Sequence, residues 1–326
     1  MTLTNGEINT CNWIYFTLAT ISLICTLTTL YLIHYMGIRN GYLLLITSMT
    51  VCQIIYDINF IQGVIPGYVN CVIWNVFDIL GGLSVALWSN VISYVAMHVI
   101  VNVRSMSIYE NYPKFFCFAM IPSVVLSMAS IAVIAPPPDD DAPFLYCEYR
   151  DTYFARAIYA LYFWGRIFSI LFNFGVFAYI SYRIHRMMKL VQSNDDENKL
   201  QRTVTANPIS PLHSTVTADS SNVNTTNTIL HTTQHNIGSY PINATTQCIA
   251  IVALVSRMKY YPLAQAISRS GAAWNEFLYY SYDSYPSHMM AAICSPVLGI
   301  LNFLIFLVKY HTLYYDVTIQ LAVIFM

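Results

Sequence analysis

Six stretches of this chain, residues 13–35, 42–65, 72–101, 115–135, 154–182 and 287–308, are apolar over about the 20 residues a helix needs to cross a ~30 Å hydrocarbon core. No other feature limits the fold as severely. A backbone that enters lipid must satisfy its own N–H and C=O groups, so only helices and closed barrels span. A barrel strand would alternate apolar and polar residues over about ten positions, and these runs do not alternate. They are read as membrane helices. Composition agrees: 10% of residues are charged, whereas soluble domains carry about 25%. Aromatic residues, at 15%, suit the belts found at membrane interfaces. The first twelve residues hold no Lys or Arg, and no small-x-small site follows the first run. That run is expected to insert as its own signal rather than be cleaved. No lipidation motif is present.

A seventh span is harder to place. The stretch "RMKYYPLAQAISRSGAAWNEFLYY" begins at Arg257 and carries Arg269 and Glu276 where lipid would lie. A span over 246–268 would put Arg257 near mid-membrane. A span over 258–280 keeps Arg257 and Lys259 at the inner surface, where a long basic side chain can snorkel. The second placement is preferred, with 248–256 as an inner extension of the same helix.

Orientation follows from the basic residues. With the N-terminus outside, the inner side holds Arg39, Arg104, Lys114, Arg183, Arg186, Lys189, Lys199, Arg202, Arg257, Lys259 and Lys309. The outer side holds only Arg150 and Arg156. The fold expected is an all-α membrane protein, a seven-transmembrane helix bundle with its N-terminus outside and its C-terminus inside. Residues 1–12 form a short extracellular segment, and 13–191 carry helices one to five. Residues 192–247, rich in Ser, Thr and Asn, lack the apolar surface to fold and read as a disordered inner loop. Helices six and seven occupy 248–309, and 310–326 form a short inner tail. The sequons at Asn224 and Asn243 would then face the wrong side for glycosylation. Phosphorylation of the loop is the regulatory alternative to plain solvation.

Ionisable residues inside a membrane are expensive, so they face the bundle interior and commonly serve function. Here they are Asp57, Asp78, Arg166, Arg269 and Glu276, with Asn90 and His98 as weaker candidates. By depth, Asp78, Arg166 and Arg269 converge on one layer in the outer half. One reading is a structural ion-pair network, Asp78 or Glu276 with Arg166 or Arg269. The other is an outward-facing pocket whose arginines prefer an anionic ligand. Pro122, Pro262 and Pro296 fall inside spans, where proline removes a backbone hydrogen bond and kinks a helix. Pro262 is the expected hinge for the inner half of span six. The histidines show no metal-ligand spacing on a shared face. No phosphate-binding loop or nucleophile motif appears. No enzymatic activity, cofactor, metal or nucleic-acid partner is expected.

Three blocks carry a family likeness: "YFWGRIFSILFNFGVFAYISYRI" from Tyr162, "RMKYYPLAQAISRSGAAWNE" from Arg257 and "AAICSPVLGILNFLIFLVKY" from Ala291. Together they resemble the cyclic-AMP-receptor-like group of seven-transmembrane G-protein-coupled receptors of slime moulds and other protists. The likeness covers about a quarter of the chain. It implies an extracellular small-molecule ligand and a heterotrimeric G protein inside, at the plasma membrane. Arg166, Arg269, Trp274 and Glu276 fall in its recurring motifs, as do Pro296 and Gly299; Asp78 joins them as a candidate ligand contact by depth. The inner basic residues Arg104, Arg183, Arg186, Lys189, Arg257 and Lys259 become candidate G-protein contacts. Cys71 and Cys147 face the oxidising side, where disulfides persist, and a pair so placed recurs across seven-helix receptors. A Cys71–Cys147 bond is therefore expected, with Cys11 as a competitor. The chain departs from relatives of the rhodopsin class: span three ends "HVIVNVRSMS" without Asp-Arg-Tyr, and span seven lacks Asn-Pro-x-x-Tyr. Two alternatives stand beside the receptor reading. One is a transporter or channel, which needs polar groups continuing through the inner half. The other is a receptor remnant that no longer signals.

Overall fold

The computed structural model describes residues 5–36, 41–62, 68–102, 106–134, 152–205, 259–279 and 285–325. Within them, the side chains of residues 5, 8, 36, 68–70, 190–205, 276–279 and 309–325 lie outside the description. Among the described residues there are seven long helices: α1 Asn5–Met36, α2 Gly41–Gln62, α3 Tyr68–Asn102, α4 Ile108–Ile131, α5 Tyr153–Thr205, α6 Tyr260–Tyr279 and α7 Tyr285–Phe325. All except α6 are long and apolar enough to cross a membrane. The protein is a multi-pass membrane protein built as a helical bundle.

α6 falls short on hydropathy because its inward face is polar. Gln265, Ser268 and Arg269 are each about 1% exposed. Its 20 residues still cover about 30 Å at 1.5 Å per residue, the thickness of the hydrocarbon core. The apolar stripe of α6 points outward instead. Tyr260, Ile267 and Trp274 recur every seven residues and are half exposed, as a lipid-facing stripe should be.

Neighbouring helices close a ring: α1 packs on α2 and α7, α2 on α3, α3 on α4, α4 on α5, α5 on α6, and α6 on α7. α3 crosses the middle and also touches α5 and α6. The main core gathers Trp88, Val91, Ile92 and Val95 of α3 with Leu45 and Met49 of α2, Ile180 of α5, Tyr261 of α6 and Leu298 of α7. Two glycines on α7 and α6 set the closest approaches. A Cβ at Gly299 would lie 2.2 Å from Ser22 Oγ of α1, and one at Gly271 would lie 2.5 Å from Cys294 Cβ of α7. Only a missing side chain permits such contacts.

Several boundaries differ from the hydropathy reading. α5 runs on to Thr205, so residues 192–205 are helix rather than the start of an unstructured loop. The stretch "NDDENKLQR" explains this: Asp195 precedes Lys199 by four residues, the favourable order on a helix, and Glu, Lys, Gln and Leu are good helix formers. Residues 206–247, the rest of that expected loop, lie outside the described residues. α4 starts at Ile108, ahead of its apolar window, and takes in Pro113 as well as Pro122. α7 continues through the expected tail. α6 occupies the preferred placement of span six; the proposed inner extension 248–256 lies outside the described residues.

Candidate functional site

Tyr56 of α2 is the hub of the polar layer. Its ring is 1% exposed and lies against α3, where Gly81 has no side chain to hold the helices apart. Arg269 of α6 stacks on this ring, with its guanidinium carbon 4.1 Å from the ring centroid. Asp78 of α3, Arg166 of α5 and Ser295 of α7 complete the surroundings of Tyr56. Five of the seven helices thus place a charged or polar group on or within electrostatic reach of one tyrosine.

Gly82 makes the convergence possible. A Cβ there would sit 3.0 Å from Tyr162 Oη, 3.2 Å from Tyr56 Cε2 and 3.5 Å from Arg269 Nη1. Tyr162 reaches across from α5 and donates to Asp78 Oδ2 at 2.8 Å. Arg166, one turn further along α5, lies 5.0 Å from the Tyr162 ring and is 3% exposed. Among the described residues, no carboxylate is hydrogen-bonded to Arg269. Its Nε, Nη1 and Nη2 are buried and have no hydrogen-bond partner. Stacking on Tyr56 covers a face of the guanidinium and uses none of its in-plane N–H donors.

The second carboxylate nearby, Asp57, is occupied elsewhere. Ser22 Oγ and Thr26 Oγ1 of α1 donate to its Oδ2 at 2.9 Å and 3.1 Å, and Gln53 Nε2 donates to its Oδ1 at 2.7 Å. Gly299 of α7 presses on the same two hydroxyl residues. This knot ties α1, α2 and α7 together beside the tyrosine layer. On the other side, α3 and α5 are joined by paired polar side chains. Ser169 donates to Asn90 Oδ1 at 2.8 Å, and Ser93 donates to Asn173 Oδ1 one turn further in.

The structure thus brings Asp78, Arg166 and Arg269 together. It does not bring Trp274 to them. Five residues past Arg269, Trp274 stands about 140° around the helix and is 52% exposed on the outer face of α6. A tryptophan there fits an interfacial belt. Glu276 lies on α6, but its side chain is outside the described residues. Pro296 sits within α7; Pro262 lies in the first turn of the described α6, where proline is readily tolerated. At the opposite end, Lys259 lies 5.7 Å from the Phe177 ring of α5, holding the foot of α6 to that helix. Arg186 and Lys189 are exposed on α5, and Arg183 is partly buried. Arg104 and Arg257 lie outside the described residues. Cys71 is buried and disulfide-bonded, whereas Cys11 is a free thiol; Cys147 lies outside the described residues.

Sequence reasoning missed Tyr56, Gly82 and Tyr162. Tyr162 stood one turn before Arg166, a spacing that puts both on one helix face. Nothing local marked Tyr56 beyond its place beside Asp57.

No family model and no curated protein matches the sequence. Among solved structures, squid rhodopsin aligns over 90% of this chain and 77% of its own, with a TM-score of 0.56 and 13% identity. The bundle has a rhodopsin-like seven-helix fold. At that identity the likeness speaks for the fold alone.

Proposed function

We propose that the protein is a G-protein-coupled receptor that binds an extracellular small molecule and activates a heterotrimeric G protein. The observation that carries this reading is the convergence of five helices on Tyr56, with a buried, unpartnered Arg269 at its centre. A ligand bound there touches the helices that must move relative to one another, and differential contact is what shifts a two-state equilibrium. The fold is shared with squid rhodopsin, a G-protein-coupled receptor. The resemblance to cyclic-AMP-receptor-like sequences supports the same class.

Arg269 favours an acidic group on the ligand, with Asp78, Arg166 and Glu276 as further contacts. Trp274 is left with an interfacial role. The distribution of Lys and Arg supports an outer N-terminus and an inner foot at Arg183, Arg186, Lys189, Arg257 and Lys259, where Arg104 completes the docking surface at the plasma membrane. Cys147 is the proposed partner of Cys71, pinning the outer loop to α3. Pro262 and Pro296 are the proposed hinges.

The test is a nucleotide-exchange assay on the receptor reconstituted with heterotrimeric G proteins, screened against small anionic metabolites, cyclic nucleotides included. Arg269→Ala is expected to reach the surface and lose the response. A normal response from that variant to every active compound would remove Arg269 from the site. Ligand-independent solute flux in liposomes, with no nucleotide exchange, would support the transporter reading instead.

A further inference from the structure

Among the described residues, the two carboxylates in the layer of Arg269, Asp78 and Asp57, are both committed. Asp78 takes the Tyr162 hydroxyl, and Asp57 takes three donors from Ser22, Thr26 and Gln53. Arg269 is left 1% exposed, with all three guanidinium nitrogens lacking hydrogen-bond partners. Guanidinium is always charged, and burial without in-plane acceptors is among the costliest arrangements a side chain can adopt. Tyr56 relieves a face of the ion but accepts none of its N–H groups.

We infer that Arg269 binds a small inorganic anion, chloride in ordinary media, as its counter-ion when no signalling ligand is present. The chemistry is that of a planar fork of N–H donors in a low-dielectric site, which suits a compact halide or a single oxyanion group. Three of the four residues one turn away on α6, Ala266, Ala272 and Ala273, are buried and present only methyl groups; the fourth, Gln265, is buried with its amide atoms unpartnered. Binding is weak and reversible, because the Asp57 carboxyl already acts on Arg269 electrostatically. An exchangeable counter-ion is what an incoming acidic ligand could displace; such displacement rests on the receptor reading, whereas the anion site itself does not.

The experiment uses the full chain in nanodiscs of neutral lipid. The thermal unfolding midpoint is followed in choline salts at constant ionic strength, as chloride replaces gluconate, an anion too bulky for a buried site. Choline keeps the cation the same throughout, so that only the anion varies. The expected result is a saturable rise in midpoint, half-complete at an order-of-millimolar chloride concentration, with bromide acting alike. Asp57→Asn should keep the saturable rise and Arg269→Gln should abolish it. Should Arg269→Gln fail to fold, Ala273→Glu provides the second arm. It places a tethered carboxylate four residues from Arg269 and should make the midpoint independent of chloride. A wild-type midpoint that is flat between gluconate and chloride overturns the inference, as does a saturable rise that survives Arg269→Gln or Ala273→Glu. No ligand or G protein enters this assay, so its failure leaves the receptor reading standing, and a failed exchange screen leaves the anion site standing.

Discussion

Arg269 lies over the ring of Tyr56 at 4.1 Å, and this stacking joins α6 to α2 across the bundle. Removing the ring should cost more than removing its hydroxyl. Tyr56→Leu is expected to lower stability by about 1–2 kcal/mol more than Tyr56→Phe does, since a desolvated cation–π contact is worth up to about that much. Tyr56→Phe loses only the hydroxyl that faces Ser295. Unfolding midpoints of the two purified variants decide it; the reverse order would mean that the hydroxyl carries the contact.

Gly299 admits no side chain. An alanine Cβ would meet Ser22 Oγ at 2.2 Å and Thr26 Oγ1 at 2.9 Å, so Gly299→Ala should destabilise by about 1–3 kcal/mol, the usual cost of overpacking. Gly175 on α5 is the control, because a Cβ there meets nothing within 4 Å. Gly175→Ala should be neutral or stabilising, by up to about 1 kcal/mol from helix propensity. Equal thermal midpoints for the two variants would contradict the packing of α7 on α1.

The three donors on Asp57 make it a structural anchor as well as a buried acid. Asp57→Ala should leave buried donors unsatisfied and cost about 1–3 kcal/mol. Asp57→Asn keeps an acceptor oxygen for some of them and should cost less. Chemical unfolding of both variants in the same detergent gives the comparison; indifference to either change would mean the hydroxyls of Ser22 and Thr26 are satisfied without the carboxylate.

Between α3 and α5, Ser169 and Asn90 are bonded at 2.8 Å. A double-mutant cycle of Ser169→Ala and Asn90→Ala should show coupling of about 0.6 kcal/mol, the average for hydrogen bonds between membrane helices. Strict additivity would indicate that the two side chains do not meet. The neighbouring bond from Ser93 to Asn173 carries polar groups one turn deeper than the sequence implied. They are turned toward each other across the helix interface, which is the behaviour of a structural seam.

The sequence by itself determined where the helices are. Hydropathy is a local property, and lipid forces each apolar run to satisfy its own backbone, so the six plain spans and the polar sixth helix were legible in order. It also marked Asp78, Arg166 and Arg269, because ionisable groups stand out in apolar surroundings. Their partners were not legible. Whether Arg269 meets a carboxylate or a tyrosine ring depends on how far α6 is rotated and shifted against α2 and α3. That is set by close approaches at Gly81, Gly82, Gly271 and Gly299, residues distant in sequence from one another. The same rotation turned Trp274 outward and gave Asp57 to α1. Helix formation is decided within one segment, whereas the pairing of buried polar groups is decided only when whole helices pack.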